Sequence, residues 1–199
     1  MATLTPPRPT VFNLPNQLTA ARFFLALVLF VLIDLEDYWV GCTLIFAVAA
    51  GTDWLDGYLA RKQGLTSTLG RILDPLVDKV LICGAYIFLQ AVEGSGLVPW
   101  MVTVVVAREL VITSLRSFIE NRGANFGADW LGKLKMGLQC AALIAIFVYL
   151  HVKGLEGEAA QDFFRAVRTG LIYAMLGATV LSGLQYLWKA TLLLKVDAG

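Results

Sequence analysis

Six apolar runs constrain this chain more than any other feature. They cover about residues 18–33, 39–62, 71–92, 97–120, 131–152 and 167–193. A helix of roughly 20 residues, rising 1.5 Å per residue, crosses the hydrocarbon of a bilayer. Inside that hydrocarbon a helix satisfies its own backbone hydrogen bonds. The composition agrees: 58% of the 199 residues are hydrophobic, against about 45–50% apolar in a soluble domain, and the mean hydropathy is +0.71. The expected fold is therefore an all-α integral membrane protein with six transmembrane helices. Residues 13–199 are expected to form one domain, behind a proline-rich disordered tail over 1–12. The first run is short, and Asn13-Leu14-Pro15-Asn16 is expected to start an interfacial lead-in to it. That run reads as a retained span rather than a signal peptide, because no small-residue cleavage site follows it.

The connections carry the polar residues. Asp34, Glu36 and Asp37 end the first run, and Glu93-Gly94-Ser95-Gly96 ends the third. Gly123-Ala124-Asn125-Phe126-Gly127 follows the fourth, and His151 to Arg168 reads as a polar connector. Arg61, Lys62, Arg71 and Lys79 surround the second loop, while the first and third loops lack Lys and Arg. Under the positive-inside rule this pattern puts both termini and the second loop in the cytoplasm. The net charge of +1 gives no pull toward nucleic acid. Cys42, Cys83 and Cys140 are odd in number, widely spaced and set in apolar runs, so they read as small buried hydrophobes. His151 reads as a polar residue at an interface. No internal repeat suggests the duplicated halves of a transporter.

Against that background stand Asp53, Asp56, Asp74 and Asp78. Each charge placed in hydrocarbon costs roughly 2.5 to 3.5 kcal/mol on insertion scales. Asp53 and Asp56 are three apart, which on a helix leaves them about 60° apart in rotation on one face. Asp74 and Asp78 are four apart and also share a face. The linker from Lys62 to Leu69 is short, so the two helices are expected to be antiparallel neighbours whose acids converge at the cytoplasmic end. Four carboxylates with no nearby His or Cys make a hard, all-oxygen site suited to Mg²⁺, Mn²⁺ or Ca²⁺. Gly57 and Ala60 either let helices approach closely or leave a ligand slot beside the acids. Arg61 is either a cytoplasmic anchor or a clamp for a phosphate. Pro75 is expected within the first turn of the third helix, where its missing N–H costs little.

Written out, the stretch 53–78 is D-x2-D-G-x2-A-R-x8-G-x3-D-x3-D. It resembles the signature of the CDP-alcohol phosphatidyltransferases at every fixed position, and six spans with the signature across the second and third match that family's layout. The resemblance implies transfer of a substituted phosphoryl group from a CDP-linked donor to an alcohol, with release of CMP. It implies that Asp53, Asp56 and Asp74, helped by Asp78, hold two divalent cations, Mg²⁺ or Mn²⁺. Asp78 is implied as the general base: a carboxylate tightly bound to two cations is too acidic for that role, and one a turn further along is better suited. Asp56, Gly57, Ala60, Arg61 and Gly70 are implied to hold the CDP donor. Thr52 is a weaker addition, since helix threonines usually bond their own backbone.

A second stretch bears on the acceptor. Arg108-Glu109 is followed by Ser114-Leu115-Arg116, and Gly132-Lys133-Leu134-Lys135 by Gln139. Arg108 lies well inside an apolar run, where a lone cation is costly. A cavity holding an anion would explain it, and Glu109 could pair with a neighbouring cation. These segments, with Asn13-Leu14-Pro15-Asn16-x-Leu18-Thr19-x-x-Arg22 at the start, resemble the bacterial phosphatidylglycerophosphate synthases within the family. Met136 and Gly137 depart from that branch, where a threonine is common after the second lysine. The branch implies CDP-diacylglycerol as donor and sn-glycerol 3-phosphate as acceptor, with Arg108, Arg116, Lys133 and Lys135 around the acceptor phosphate. It also implies a homodimer in the inner (cytoplasmic) membrane, with its active site facing the cytoplasm. Other acceptors remain open: inositol phosphate, or phosphatidylglycerol as in a cardiolipin-type synthase. From a different class, intramembrane acids also mark divalent-metal transporters, although here they gather near one face and no second cluster continues a path.

Overall fold

The protein is described by a computed structural model covering residues 14–63, 68–120, 130–154 and 157–196. Within these, the side chains of residues 14–16, 53–72, 74, 120 and 193–196 lie outside the description. The chain forms six helices: α1 (Leu14–Asp34), α2 (Trp39–Gln63), α3 (Thr68–Leu89), α4 (Pro99–Glu120), α5 (Trp130–Lys153) and α6 (Glu158–Val196). Each falls on one of the six apolar runs, and no strand occurs among the described residues. The tail expected over residues 1–12 lies outside them.

Three segments are long and apolar enough to cross a membrane by length and composition: Gln17–Asp34, Trp130–Lys153 and Glu158–Leu192. Trp39–Thr52 is a shorter apolar helix segment. The six expected spans are thus six helices, of which half meet that measure among the described residues.

The connector expected from His151 to Arg168 is helical for most of its length, ending α5 and beginning α6. Its residues are polar but good helix formers, such as the Glu158-Ala159-Ala160-Gln161 start. Glu158 complements the helix dipole in the first turn, and Asp162 pairs with Arg165 at 3.3 Å on the surface. At 39 residues α6 is about 58 Å long, well beyond the thickness of a hydrocarbon core, so its polar start projects past the apolar part. Pro75 also differs from expectation. Because α3 begins at Thr68, the proline stands inside the helix, where it leaves one carbonyl a turn earlier without its helical donor.

α1 packs against both α2 and α3, and α5 packs against α2, α3 and α6, while α4 lies on α3 and α6. On α1 the buried positions Arg22, Ala26, Leu29, Phe30 and Ile33 repeat at helical spacing. Ala26, Leu29, Phe30 and Ile33 join Phe46 and Ala49 of α2 and Leu81, Ala85 and Tyr86 of α3 in the main core, which Leu143, Ile146 and Phe147 of α5 and Met175 of α6 complete. Tyr86 fixes α3 to α5 by donating its hydroxyl to the Gln139 carbonyl at 2.9 Å. Gly84 lets α3 approach α1: a Cβ there would fall 2.7 Å from Phe30 Cε1 and closer still to Cζ. The Phe30 ring stacks in turn on Phe88 at 5.0 Å. The outward positions Phe23, Phe24, Leu27, Val28 and Val31 of α1 are exposed and apolar, as a helix facing lipid tails requires. All three cysteines are free thiols.

At the end of α3 the chain turns through Gly94 (φ 91°) and Gly96 (φ 78°). Arg168 of α6 reaches into this turn, donating to the Gly94 carbonyl with its guanidinium 4.2 Å from the Tyr149 ring centroid. This clamp lies at the opposite end of α3 from the aspartates.

Candidate active site

α2 carries Asp53, Asp56, Gly57, Ala60 and Arg61 on helical backbone, and α3 carries Gly70, Asp74 and Asp78. The i,i+3 and i,i+4 spacings of the acids are therefore helical spacings, as expected. The side chains of Asp53, Asp56, Arg61 and Asp74, and the surroundings of Gly57, Ala60 and Gly70, lie outside the described residues. Thr52 donates its hydroxyl to the Ala49 carbonyl one turn back, at 2.8 Å, which is the ordinary behaviour of a helix threonine.

Asp78 is the acid whose surroundings are described. Its Oδ1 accepts a hydrogen bond from Arg22 Nη1 at 2.6 Å. The Arg22 side chain is 1% exposed and that of Asp78 23%. An arginine fully inside the protein is tolerable only with a carboxylate against it. Asp78 borders two hollows at once. One, of about 160 Å³, is walled by Pro75, Asp78, Lys79 and Cys83 of α3, Glu109 of α4, and Lys135 and Gln139 of α5. The other, of about 60 Å³, lies between Phe46, Ala49 and Ala50 of α2, Leu81 of α3 and Cys140 of α5. Ile82 and Met136 belong to both walls. The described parts of α2 and α3 thus face each other across a space with Asp78 at its edge.

The larger cavity is polar on its α4–α5 side. Lys135 donates to Glu109 Oε1, and Arg108 Nη1 donates to the same oxygen at 3.1 Å. Arg108 Nη2 bonds the Ser182 hydroxyl at 3.1 Å, and its guanidinium sits 5.7 Å from the Tyr186 ring centroid. One buried carboxylate thus holds two cations, and through Arg108 the network joins α4, α5 and α6. An ammonium group has three donors, so the bond to Glu109 leaves Lys135 able to meet an anion in the cavity.

Of the four basic residues expected around the acceptor phosphate, Lys135 lines the cavity. Arg108 meets it through Glu109, which together with Ser182 accounts for a cation inside an apolar run. The expected pairing of Glu109 with neighbouring cations is present. Arg116 and Lys133 are exposed and line neither cavity. Sequence reasoning missed two residues. Arg22 enters the sequence only as the end of the opening Asn13–Arg22 segment, although its place on the buried stripe of α1 is the signal that marks it. Gln139 was noted only as part of a motif. It is 1% exposed, lines the larger cavity, and its side-chain nitrogen has no hydrogen-bond partner among the described residues.

Oxygen ligands alone suit a hard divalent cation, and the four aspartates offer nothing softer. Among the described residues no three potential ligands gather; the side chains of Asp53, Asp56 and Asp74 are not among them.

The family model of the CDP-alcohol phosphatidyltransferases matches residues 12–193. The chain is 36% identical to the CDP-diacylglycerol–glycerol-3-phosphate 3-phosphatidyltransferase of Bacillus subtilis (strain 168), over 70% of this chain and 78% of that protein. Proteins of the same name from Blochmanniella floridana and Escherichia coli (strain K12) are 37% and 35% identical. Those matches cover 71% and 66% of this chain and 76% and 75% of the relatives. A match that takes in all six helices, with Asp78 standing at the edge of a cavity between them, makes this chain a member of the CDP-alcohol phosphatidyltransferase family.

Proposed function

We propose that this protein is a membrane enzyme that transfers the phosphatidyl group of CDP-diacylglycerol to sn-glycerol 3-phosphate, giving phosphatidylglycerol phosphate and CMP. Relatives that cover most of this chain carry that activity in their names. The observation that carries the reading is a single cavity bounded by a carboxylate, Asp78, and an ammonium, Lys135. The first suits a hydroxyl to be deprotonated and the second a phosphate on the same small molecule.

In this reading Asp78 takes the proton of the acceptor's primary hydroxyl. The oxygen attacks the phosphorus that bears diacylglycerol, the bond from that phosphorus to CMP breaks, and CMP leaves with the electron pair. Arg22 fixes the orientation of the Asp78 carboxylate. Lys135, held by Glu109, receives the acceptor phosphate; Arg108 stiffens that arrangement, and Arg116 and Lys133 draw the anion toward the protein from the surface. Asp56, Gly57, Ala60, Arg61 and Gly70, with Thr52 beside them, form the CDP side. Asp53, Asp56 and Asp74, with Asp78, would hold two divalent cations, Mg²⁺ or Mn²⁺. Bound there, such cations neutralise pyrophosphate charge and make CMP a better leaving group.

The reading includes six spans, both termini in the cytoplasm, a site facing the cytoplasm of the inner membrane, and a homodimer. The lysines and arginines around the second loop support that orientation.

The test is an acceptor screen. Purified protein is given CDP-diacylglycerol and Mg²⁺ or Mn²⁺ with glycerol 3-phosphate, inositol phosphate, phosphatidylglycerol or serine, and CMP release is followed. Release with glycerol 3-phosphate alone is the expected result. Release with another acceptor only would reassign the substrate. Divalent-metal flux into proteoliposomes, without CMP release under any condition, would replace the enzyme with a transporter.

A further inference from the structure

We infer that Gln139 is a specificity-determining residue, and that its side-chain amide reads the secondary hydroxyl of the acceptor. The inference rests on the functional reading above. Its starting point is an unpartnered group: the Gln139 side-chain nitrogen is buried without a hydrogen bond among the described residues, in a residue 1% exposed. Buried polar groups of native proteins are nearly all bonded, and an exception calls for an explanation. The residue lines the larger cavity together with Asp78 and Lys135, so a molecule held there can supply the missing partner.

The spacing decides which part of the molecule. Gln139 and Lys135 are four apart on α5 and share a face, about 6 Å apart along the axis. Asp78 faces them from α3. A glycerol phosphate has three polar sites in a row: the phosphate, the secondary hydroxyl and the primary hydroxyl. With the phosphate at Lys135 and the primary hydroxyl at Asp78, the secondary hydroxyl is the group left between. Gln139 carries a side-chain nitrogen on this wall that lacks a partner among the described residues. A primary amide both donates and accepts, as a hydroxyl does, so the two match. Neighbouring lining groups are otherwise engaged: Glu109 accepts from Arg108 and Lys135, and Lys79 donates to the Pro75 carbonyl at 3.4 Å.

The test compares glycerol 3-phosphate with 3-hydroxypropyl phosphate, which lacks only the secondary hydroxyl, in wild type, Gln139→Leu and Gln139→Met. CMP release from CDP-diacylglycerol is followed with the full-length protein in lipid–detergent micelles. The expected result is a roughly five- to tenfold rise in KM for glycerol 3-phosphate in both variants, the worth of one neutral hydrogen bond. KM for 3-hydroxypropyl phosphate and for the lipid donor should stay near wild type, with a smaller effect on kcat. Thermal unfolding should occur at or above the wild-type temperature, because the amide nitrogen has no hydrogen bond to lose among the described residues. An unchanged KM for glycerol 3-phosphate, or an equal rise for both acceptors, overturns the inference. Wild-type protein that releases CMP with neither phosphorylated acceptor overturns the functional reading as well, and the wild-type rates tell that failure apart from the failure of Gln139 alone.

Discussion

Arg22 of α1 and Asp78 of α3 meet at 2.6 Å inside the helical bundle, with Arg22 almost wholly enclosed. A buried pair gains little over two well-packed apolar residues, yet removing one partner strands the other. Such a pair orients more than it stabilises.

Asp78→Asn should therefore nearly abolish CMP release while leaving binding of the CDP donor largely intact. Equilibrium binding of a radiolabelled CDP-lipid, set beside turnover of the same preparation, checks this. Full turnover in the variant would remove Asp78 as the base.

Arg22→Met should destabilise the protein by up to about 3 kcal/mol, the lower part of the range for a broken buried pair because Asp78 retains some exposure. The double variant Arg22→Met/Asp78→Asn should recover much of that loss and stay inactive. Thermal unfolding in detergent reads the stability, and CMP release reads the activity. A double variant no more stable than Arg22→Met would mean that the pair is not coupled.

Glu109→Gln leaves Lys135 and Arg108 without their shared carboxylate. Its expected effect is a loss of about 2–4 kcal/mol and a higher KM for glycerol 3-phosphate than for the donor. Steady-state kinetics with each substrate varied in turn checks the asymmetry. Equal changes in both would argue that Glu109 serves folding only.

Gly84→Ala forces α1 and α3 apart at Phe30 and should cost about 1–3 kcal/mol. Phe30→Leu in the same chain should return part of it, since the smaller side chain makes room for the new methyl. Unfolding temperatures of the single and double variants measure the coupling.

At the far end of the bundle, Arg168→Ala removes the bond to Gly94 and the contact with Tyr149. It should lower the unfolding temperature and leave both KM values unchanged, because about three turns of α3 separate the clamp from Asp78. A change in acceptor KM would show that the two ends communicate.

The apolar runs located all six helices, because a polar break in a hydrophobic chain marks where a buried helix ends. They misjudged the start of α6. Its first turns are polar and helical, and hydropathy cannot tell a solvated helix from a loop. The motif located Asp78 and the stretch 108–135 located Glu109 and Lys135, since ionisable residues stand out in an apolar sequence. Arg116 and Lys133 stood out equally, yet they lie on the surface: charge pattern does not report which way a side chain faces.

What the sequence determined by itself was the membrane character, the helix count and the family. Each of these follows from local periodicity or from residues at fixed spacing along one stretch of chain. Tertiary structure alone decided that Arg22 answers Asp78 across 56 positions, that Glu109 holds Lys135 from another helix, and that the Gln139 amide nitrogen finds no hydrogen-bond partner among the described residues. Those outcomes depend on which helix faces meet, and helix-to-helix packing is set by the fit of many side chains together, which no single segment encodes.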